Sequence, residues 1–182
     1  MSTPLAIAGF VVLAAVVAAL YNSLVSARLR AREAWSSIDV QLQRRASLVP
    51  NLVEVVKAYA GYERETMERV VAARAALGAA SGAHAAARAN AALTGALGTF
   101  FALAETYPDL KANERYAELQ ADLGDTENKI ARARNYYNGA VEVYNTRVQT
   151  FPTLLIARPF GFVPAEFFSA GPGADEPVVV AV

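Results

Sequence analysis

The chain has 182 residues, of which 54% are hydrophobic and 19% are charged, and its 17 basic side chains balance its 17 acidic ones. A chain without a basic excess gives no sign of nucleic-acid binding. With no cysteine and a single histidine, it lacks disulfide frameworks, thiolate metal sites and most cysteine- or serine-based catalytic sets, so we expect a protein that is not an enzyme.

The first predicted element is a membrane anchor. Residues 1–27 carry no charged side chain, and the run from Leu5 to Tyr21 is apolar throughout. A helix over this run is about 26 Å long, close to the thickness of the hydrocarbon core of a bilayer. We predict one transmembrane helix, whose anchor residues include Leu5, Phe10, Leu13, Leu20 and Tyr21.

A cleaved secretory signal peptide is the alternative for this segment. It fits less well because no basic residue precedes the apolar run, and no glycine or proline lies between Gly9 and Pro50. The first charges after the run are Arg28, Arg30 and Arg32. Basic residues next to a span stay on the cytoplasmic side. We therefore expect the N-terminus outside and the bulk of the chain in the cytoplasm.

Helical periodicity continues after the anchor and predicts an all-α chain with an antiparallel bundle of about four long helices. An apolar stripe on the first helix consists of Trp35, Ile38, Leu42 and Val49. We predict a turn at Ser47–Pro50, because serine is a favoured N-cap and proline fits the first turn of a new helix.

The second helix is predicted from about Pro50 to Leu77, where Gly78 ends it. Residues 78–92 are rich in alanine, glycine and serine and predict a turn before a third helix. Pro108 disfavours helical geometry at the residue before it, so we expect the third helix to end near Tyr107.

The fourth helix has the clearest apolar seam, with members mostly three or four residues apart: Tyr116, Leu119, Leu123, Thr126, Ile130, Ala133, Tyr137, Ala140, Tyr144, Val148 and Phe151. Pro152 is expected to end it. Residues 153–182 are rich in proline, glycine and phenylalanine and predict an irregular segment whose rings lie across the bundle end or against lipid. The chain thus divides into an anchor (1–27), a bundle (28–152) and an irregular C-terminal segment (153–182).

A polar pattern runs along the same helix. Asn128, Asn135 and Glu142 recur every seven residues, with Asn138 and Asn145 beside them. An amide donates and accepts hydrogen bonds at once, so amides specify the register between helices. We predict that this face sets the register between helices or subunits. Solvent exposure and a ligand site are the alternatives.

Arg44, Arg45 and Asn51 flank the predicted first turn. We expect them to satisfy helix-end groups and to pair with Glu54 or with a carboxylate of the fourth helix, and binding of a partner is the alternative. The acidic residues of the fourth helix lack the Glu-x-x-His pairs of di-metal bundles, so no metal site is predicted.

The segments described above resemble the LemA family of bacterial membrane proteins. The resemblance covers about residues 20–168 and rests on Gln41–Arg45, Leu48–Lys57, Tyr107–Asn113, Tyr136–Asn138, Tyr144–Asn145, Phe151–Pro152 and Gly161–Phe162. It implies a single anchor in the inner (plasma) membrane, a bundle of long helices and no established enzymatic activity. The tail Pro177–Val182 departs from the family, because it ends in aliphatic residues where an aromatic one is common.

The resemblance also implies partners. Family members are often encoded near a membrane zinc metalloprotease of the HtpX type, and related domains occur in magnetosome membrane proteins. We expect a non-catalytic, membrane-anchored scaffold or adaptor that contacts the lipid bilayer, forms a homo-oligomer and docks a membrane partner such as this protease. We expect no cofactor and no small-molecule substrate. The alternatives are a membrane-remodelling assembly and, with least support, an unrecognised enzyme.

Overall fold

The computed structural model describes residues 3–60 and 63–171 of the chain. Within these ranges it consists of helices and connecting segments, without β-strands. The helices are α1 (Thr3–Lys57), α2 (Arg64–Ala79), α3 (Ala83–Ala104), α4 (Pro108–Lys111), α5 (Glu114–Gln149) and α6 (Leu154–Ala157). Four of them are long, and the other two are single turns, which confirms the predicted all-α bundle.

Helices α1 and α5 form the antiparallel centre of the fold. Arg147 reaches Ser23 at one end of the pair, and the rings of Trp35 and Tyr137 lie 5.4 Å apart in the middle. Apart from Leu24, the buried side chains of α1 in this region are small, those of Ala27, Ala31 and Ala34, whereas α5 buries the larger Tyr137, Val141 and Tyr144. Small residues facing large ones let the two helices interdigitate.

Helix α1 does not end where the sequence predicts. It passes through Pro50 as far as Lys57, so the predicted turn at Ser47–Pro50 is wrong. Proline has no N–H, which deprives the carbonyl oxygen of Ala46 of its usual donor four residues later. Arg74 of α2 replaces that donor, because its Nε lies 3.3 Å from the Ala46 oxygen. A side chain from another helix thus donates a hydrogen bond to the carbonyl group that proline leaves without one.

The second predicted helix is therefore wrong at its start. The chain turns after Lys57, and α2 begins only at Arg64. Helix α2 then ends at Ala79, one residue beyond the expected stop at Gly78.

The predicted turn over residues 78–92 is also wrong for most of its length. Only Ala80–Gly82 lie between α2 and α3, and Ala83 starts a helix of 22 residues. Alanine has the highest helix propensity, and three alanines of this stretch, Ala83, Ala86 and Ala87, are buried in the core. Helix α3 ends at Ala104, and Pro108 starts α4, in agreement with the stop predicted near Tyr107.

Helix α5 follows its predicted seam. Asn113 caps it by accepting a hydrogen bond from the Tyr116 N–H at 3.0 Å. Eight of the predicted seam residues are buried: Tyr116, Leu119, Leu123, Thr126, Ile130, Tyr137, Tyr144 and Val148. Val141 is buried as well, although the prediction omitted it, whereas Phe151 is 79% exposed because the helix ends at Gln149.

The C-terminal segment returns along the bundle. Helix α6 packs at the membrane end of the α1–α5 pair, where Leu24, Tyr144, Ala157 and Phe162 belong to one buried cluster. Residues 158–171, the described part of the chain beyond α6, have no helix or strand, and Phe168 is buried against Trp35. Phe162 and Phe168 thus lie on the bundle, as one of the two predicted alternatives holds. The predicted tail Pro177–Val182 lies outside the described residues.

We expect Ile130→Ala to lower the free energy of unfolding by about 2 to 5 kcal/mol, because it leaves a cavity at the centre of the α1–α5 core. Ile130 is only 3% exposed. Thermal unfolding of the detergent-solubilised chain, followed by circular dichroism, measures the change. Val143→Ala is the matched control, since Val143 is an exposed aliphatic residue of the same helix. Equal stability of the two variants contradicts the packing described here.

Candidate functional site

The N-terminal part of α1 extends beyond the rest of the bundle. It is long and apolar enough to cross a membrane, and no residue of its most apolar window is buried. Of the predicted anchor residues, Leu5, Phe10 and Leu13 are exposed. Tyr21 is 38% exposed and Leu20 is half-buried, because the bundle begins at this level.

A hydrogen-bonded contact between α1 and α5 lies at the end of the bundle from which the apolar part of α1 projects; we call this the lower end. Arg147 Nη1 donates to the carbonyl and hydroxyl oxygens of Ser23, each at 3.0 Å. Residues 3–19 of α1 precede this contact and the ring contacts of Tyr21 with the bundle, and a helix of that length measures about 26 Å, close to the hydrocarbon core of a bilayer. The part of α1 that is free of the bundle is thus long enough for one membrane crossing.

Exposed apolar side chains lie at the end of α5, in α6 and just after α6, next to this end of the bundle. Phe151, Leu155 and Phe160 are large, apolar and more than half exposed, and the Phe160 ring lies 5.1 Å from that of Tyr21. We call Tyr21, Phe151, Leu155 and Phe160 the apolar rim. An exposed apolar group at the end of a bundle from which an apolar helix projects is suited to contact with lipid.

Above the rim, two asparagines of α5 hold the C-terminal segment. Asn145 Nδ2 donates to the carbonyl oxygen of Ala165 at 2.9 Å, and its Oδ1 accepts from the Ala165 N–H at 2.8 Å. Asn138 treats Phe168 in the same way, at 3.3 Å and 2.9 Å. Each amide therefore pairs with both backbone groups of one residue, as a neighbouring β-strand would.

The tyrosine before each asparagine adds a further hydrogen bond. Tyr144 Oη donates to the carbonyl oxygen of Val163 at 2.9 Å, and Tyr137 Oη donates to that of Glu166 at 2.8 Å. Burial raises the pKa of Tyr137 to about 12, with a smaller contribution from the charge of Glu166. Both phenols therefore keep their protons, and remain donors, at neutral pH. We call Tyr137, Asn138, Tyr144 and Asn145 the Tyr–Asn clasp.

The seven-residue spacing between the two Tyr-Asn pairs matches the spacing of the backbone groups that they bind. Seven residues of α-helix advance about 10.5 Å, and three residues of extended chain advance about 10 Å. A Tyr-Asn pair repeated after seven residues on α5 therefore meets equivalent backbone groups three residues apart on the C-terminal segment. All six hydrogen bonds are made to backbone atoms. The clasp therefore binds the backbone of an extended segment and makes no hydrogen bond to its side chains.

The predicted amide face is thus divided in two. Asn138 and Asn145 are used within the chain, a role that the sequence analysis missed. The signal for this role in the sequence is the Tyr-Asn dipeptide, which occurs at Tyr137-Asn138 and again at Tyr144-Asn145. Asn128, Asn135 and Glu142 are exposed, and in the described part of the chain no hydrogen bond or ion pair occupies their side chains. Their role between subunits stays a prediction.

Arg45 joins three helices inside the bundle. It is 3% exposed, and its guanidinium donates to Asn90 Oδ1 on α3 at 2.7 Å and lies 2.5 Å from Glu127 Oε2 on α5. Burial lowers the pKa of Arg45, while Glu127 opposes that shift. Removing one partner of a buried ion pair leaves the other charge uncompensated. Arg45 is therefore a structural residue.

Arg44 reaches α5 on the other flank of α1. Its two terminal nitrogens lie 2.9 Å from Asp122 Oδ1 and 3.0 Å from Asp125 Oδ2. Lys129 donates a hydrogen bond to Asp125 and, with the charge of Arg44, holds the pKa of that carboxyl below its usual range. The predicted pairing with carboxylates of the fourth helix is therefore present. Asn51 is exposed, and its proposed contact with a partner stays a prediction.

A cavity of about 310 Å³ lies between α1, α5, the start of α3 and the C-terminal segment. Its lining includes Arg28, Arg32, Trp35, Tyr137 and Tyr144. Burial raises the pKa of Tyr144, and the charges of Arg28 and Arg32 act against that rise. Among the described residues, no group of three or more acidic, histidine or cysteine side chains is placed to hold a metal ion.

Comparison with known proteins gives concordant matches. The model of a family described as the LemA family matches residues 34–181, which start within α1 and include the whole clasp. Magnetosome proteins MamQ 1 and MamQ 2 of Paramagnetospirillum magneticum are each 27% identical over 185 residues, which cover 87% of this chain and 68% of theirs. Protein LemA of Metamycoplasma hominis is 24% identical over 154 residues, which cover 82% of this chain and 68% of its own.

We expect Asn145→Leu to release the C-terminal segment, because the change removes both hydrogen bonds to Ala165 without changing the size of the side chain much. Hydrogen–deuterium exchange should show protection of residues 163–168 falling on the order of 10-fold, as two hydrogen bonds of ordinary net strength are lost. Asn135→Leu is the control, since Asn135 is exposed on the same helix. Unchanged exchange in the Asn145 variant contradicts the clasp.

Proposed function

The chain belongs to the LemA family, and we propose that it is a non-catalytic, membrane-anchored helical scaffold that self-associates and docks a membrane partner. The observation that carries the proposal is the continuity of α1, a single helix of 55 residues from Thr3 to Lys57. Its first part is the apolar segment, and the rest is the central helix of the bundle. Helix α1 therefore joins the anchor to the bundle as one continuous rod, and this rod sets the height and tilt of the bundle relative to a bilayer.

Two features support a position of the bundle directly on the membrane surface. The apolar rim lies at the height where the free part of α1 begins, so it would contact the headgroup and acyl boundary. The three arginines that follow the span are Arg28, Arg30 and Arg32. We place them on the cytoplasmic side of a bacterial inner membrane, with the N-terminus outside, because basic residues resist translocation.

The polar side chains of the site support a role without catalysis. The side chains of the Tyr–Asn clasp form hydrogen bonds with backbone groups of the C-terminal segment, and Arg44 and Arg45 form ion pairs. A catalytic base or nucleophile needs a group that is free to reach a substrate. The relatives found by comparison are named as magnetosome proteins and as protein LemA, and neither name is that of an enzyme.

For self-association, the surface that we propose is the exposed row of Asn128, Asn135 and Glu142 on α5. These residues lie about 140° from the apolar seam on an ideal helix, so the row runs parallel to the core and faces outward. Amides on such a row can pair with the same amides of a second copy. The membrane partner that we propose is a zinc metalloprotease of the HtpX type, and family membership alone supports it.

A membrane-remodelling assembly is the second candidate, and the apolar rim favours it. Apolar side chains inserted at the headgroup level of one leaflet add area to that leaflet alone, and amphipathic elements that do so are sensitive to curvature. Self-association through α5 would place several such rims side by side. Both candidates use the same anchor, and they differ in whether the oligomer deforms lipid vesicles.

The proposed topology predicts the activity of reporters fused after Val182. Green fluorescent protein should fluoresce there, whereas alkaline phosphatase, which is active only after export, should be inactive. Changing Arg28, Arg30 and Arg32 together to glutamine should produce a fraction of inverted molecules, because these charges set the orientation. The same change at Arg115, Arg132 and Arg134, three exposed arginines far from the span, is the control. A strong phosphatase signal from the wild-type fusion refutes the orientation.

The proposed self-association predicts that Asn128→Lys combined with Asn135→Lys reduces the size of the oligomer, because like charges would face each other across a symmetric interface. Size-exclusion chromatography with light scattering measures the size in detergent, and circular dichroism checks helix content. Asp109→Asn with Glu118→Gln adds the same net charge at exposed positions outside the row and serves as the control. An unchanged oligomer, or a wild-type chain that is already monomeric, overturns this part of the proposal.

A further inference from the structure

Two arginines on one side of α1 face the cavity beside the clasp. Arg28 and Arg32 are one helical turn apart, and both line the cavity together with Trp35. The guanidinium carbon of Arg28 lies 5.8 Å from the centre of the Phe162 ring, a cation–π contact that holds the side chain in place. Within the described residues, no carboxylate forms an ion pair with either arginine.

The cavity also has one carboxylate near it, that of Glu166 in the C-terminal segment. This carboxylate lies at the start of α3, where Oε2 accepts from the His84 N–H at 3.4 Å. A Cβ at Gly82 would lie 2.9 Å from the same oxygen, which shows how closely this carboxylate approaches the helix end. The Tyr137 and Tyr144 hydroxyls donate to the C-terminal segment. Two cations without an ion-pair partner among the described residues therefore border the α1 side of the cavity, whereas Glu166 stands beside Gly82 at the α3 side.

The position of the pair relative to the membrane is informative. Arg28 lies five residues beyond Ser23, so its Cα is about 8 Å above the lower end of the bundle, and that of Arg32 is about 14 Å above it. Side chains of a helix tilt toward its N-terminus, which here is the membrane side. Both guanidinium groups can thus reach down to the height of lipid phosphates.

We propose that this cavity binds a phosphate-bearing anion, with Arg28 and Arg32 as the hydrogen-bond donors and Trp35 as part of the wall. Guanidinium groups bind phosphate oxygens through paired N–H donors, and two of them one turn apart can share one phosphate. An anionic phospholipid headgroup entering from the membrane side and a free phosphate ester offer the same chemistry. The preference for the lipid rests on the membrane placement proposed above.

Trp35 makes a direct test possible, because it is the only tryptophan of the chain. The full chain in a neutral detergent is titrated with short-chain phosphatidylglycerol, with phosphatidylcholine of the same chain length, and with glycerol 3-phosphate. Tryptophan emission is recorded, and bound lipid is counted by native mass spectrometry. We expect a saturable change with phosphatidylglycerol and none with phosphatidylcholine. An equal response to glycerol 3-phosphate assigns the site to a free phosphate ester.

Matched variants separate the cavity from general attraction to anionic lipid. Arg28→Gln with Arg32→Gln should weaken binding of phosphatidylglycerol on the order of 10- to 100-fold, because charge-assisted hydrogen bonds are lost. Arg30→Gln with Arg158→Gln removes the same charge from two exposed residues that do not line the cavity, and it should change binding by no more than about twofold. If the Gln pair fails to fold, Arg28→Lys with Arg32→Lys keeps the charge and should still weaken binding by removing the paired donors.

The proposal is overturned if the two double variants lose binding equally, if phosphatidylcholine binds as well as phosphatidylglycerol, or if neither emission nor mass spectrometry detects a bound anion. The titration uses solubilised protein and needs neither a partner nor a given orientation. Its failure is therefore distinct from failure of the scaffold proposal, which is decided by the oligomer and by the reporter fusions.

Discussion

The unbroken length of α1 is the constraint on which the other features depend. Pro50 lies seven residues before the end of this 55-residue helix and removes one donor, and a proline inside a helix normally kinks or ends it. Here the carbonyl of Ala46 accepts from Arg74 instead. Helix α2 can supply that arginine only because it folds back along the last part of α1. The hairpin of α2 and α3 therefore keeps α1 continuous, and its continuity in turn gives α5 an uninterrupted surface for packing.

The C-terminal segment depends on that surface in a second way. Its residues 163–168 form neither helix nor strand, and buried backbone groups without partners are costly. The Tyr–Asn clasp supplies those partners at a spacing that a straight helix provides and a kinked one would not. Phe162 and Phe168 then add buried area at the two ends of the clasped stretch. Side chains of α5 thus take the place of a neighbouring strand.

Local patterns predicted the elements whose residues are satisfied locally. The seam of α5 and the apolar first part of α1 repeat over many residues, so tertiary contacts only reinforce them. The turn at Pro50 failed because the missing hydrogen bond is restored by Arg74, a residue 24 positions later in the chain. The turn predicted over residues 78–92 is confined to Ala80–Gly82, because eight of the ten residues after Gly82 are alanine or arginine, which favour a helix. The clasp was missed for a similar reason: its partners Ala165 and Phe168 have no sequence pattern, since only their backbone atoms are used.

The membrane end of the bundle brings these elements into one small unit. Leu24, Ala27, Tyr144, Val148, Ala157 and Phe162 form a buried cluster separate from the main core. Phe162 belongs to this cluster and also stacks against Arg28, and it lies two residues beyond Phe160 of the apolar rim. A shift of the rim against lipid would therefore move the ring that positions Arg28. Because the cluster is small and close to the surface, local rearrangement there costs less than in the main core. Tyr137 and Phe168 belong to the main core, so the far end of the clasped segment is fixed there. A response to the membrane is therefore confined to the small cluster, the apolar rim and the Arg28 side of the cavity.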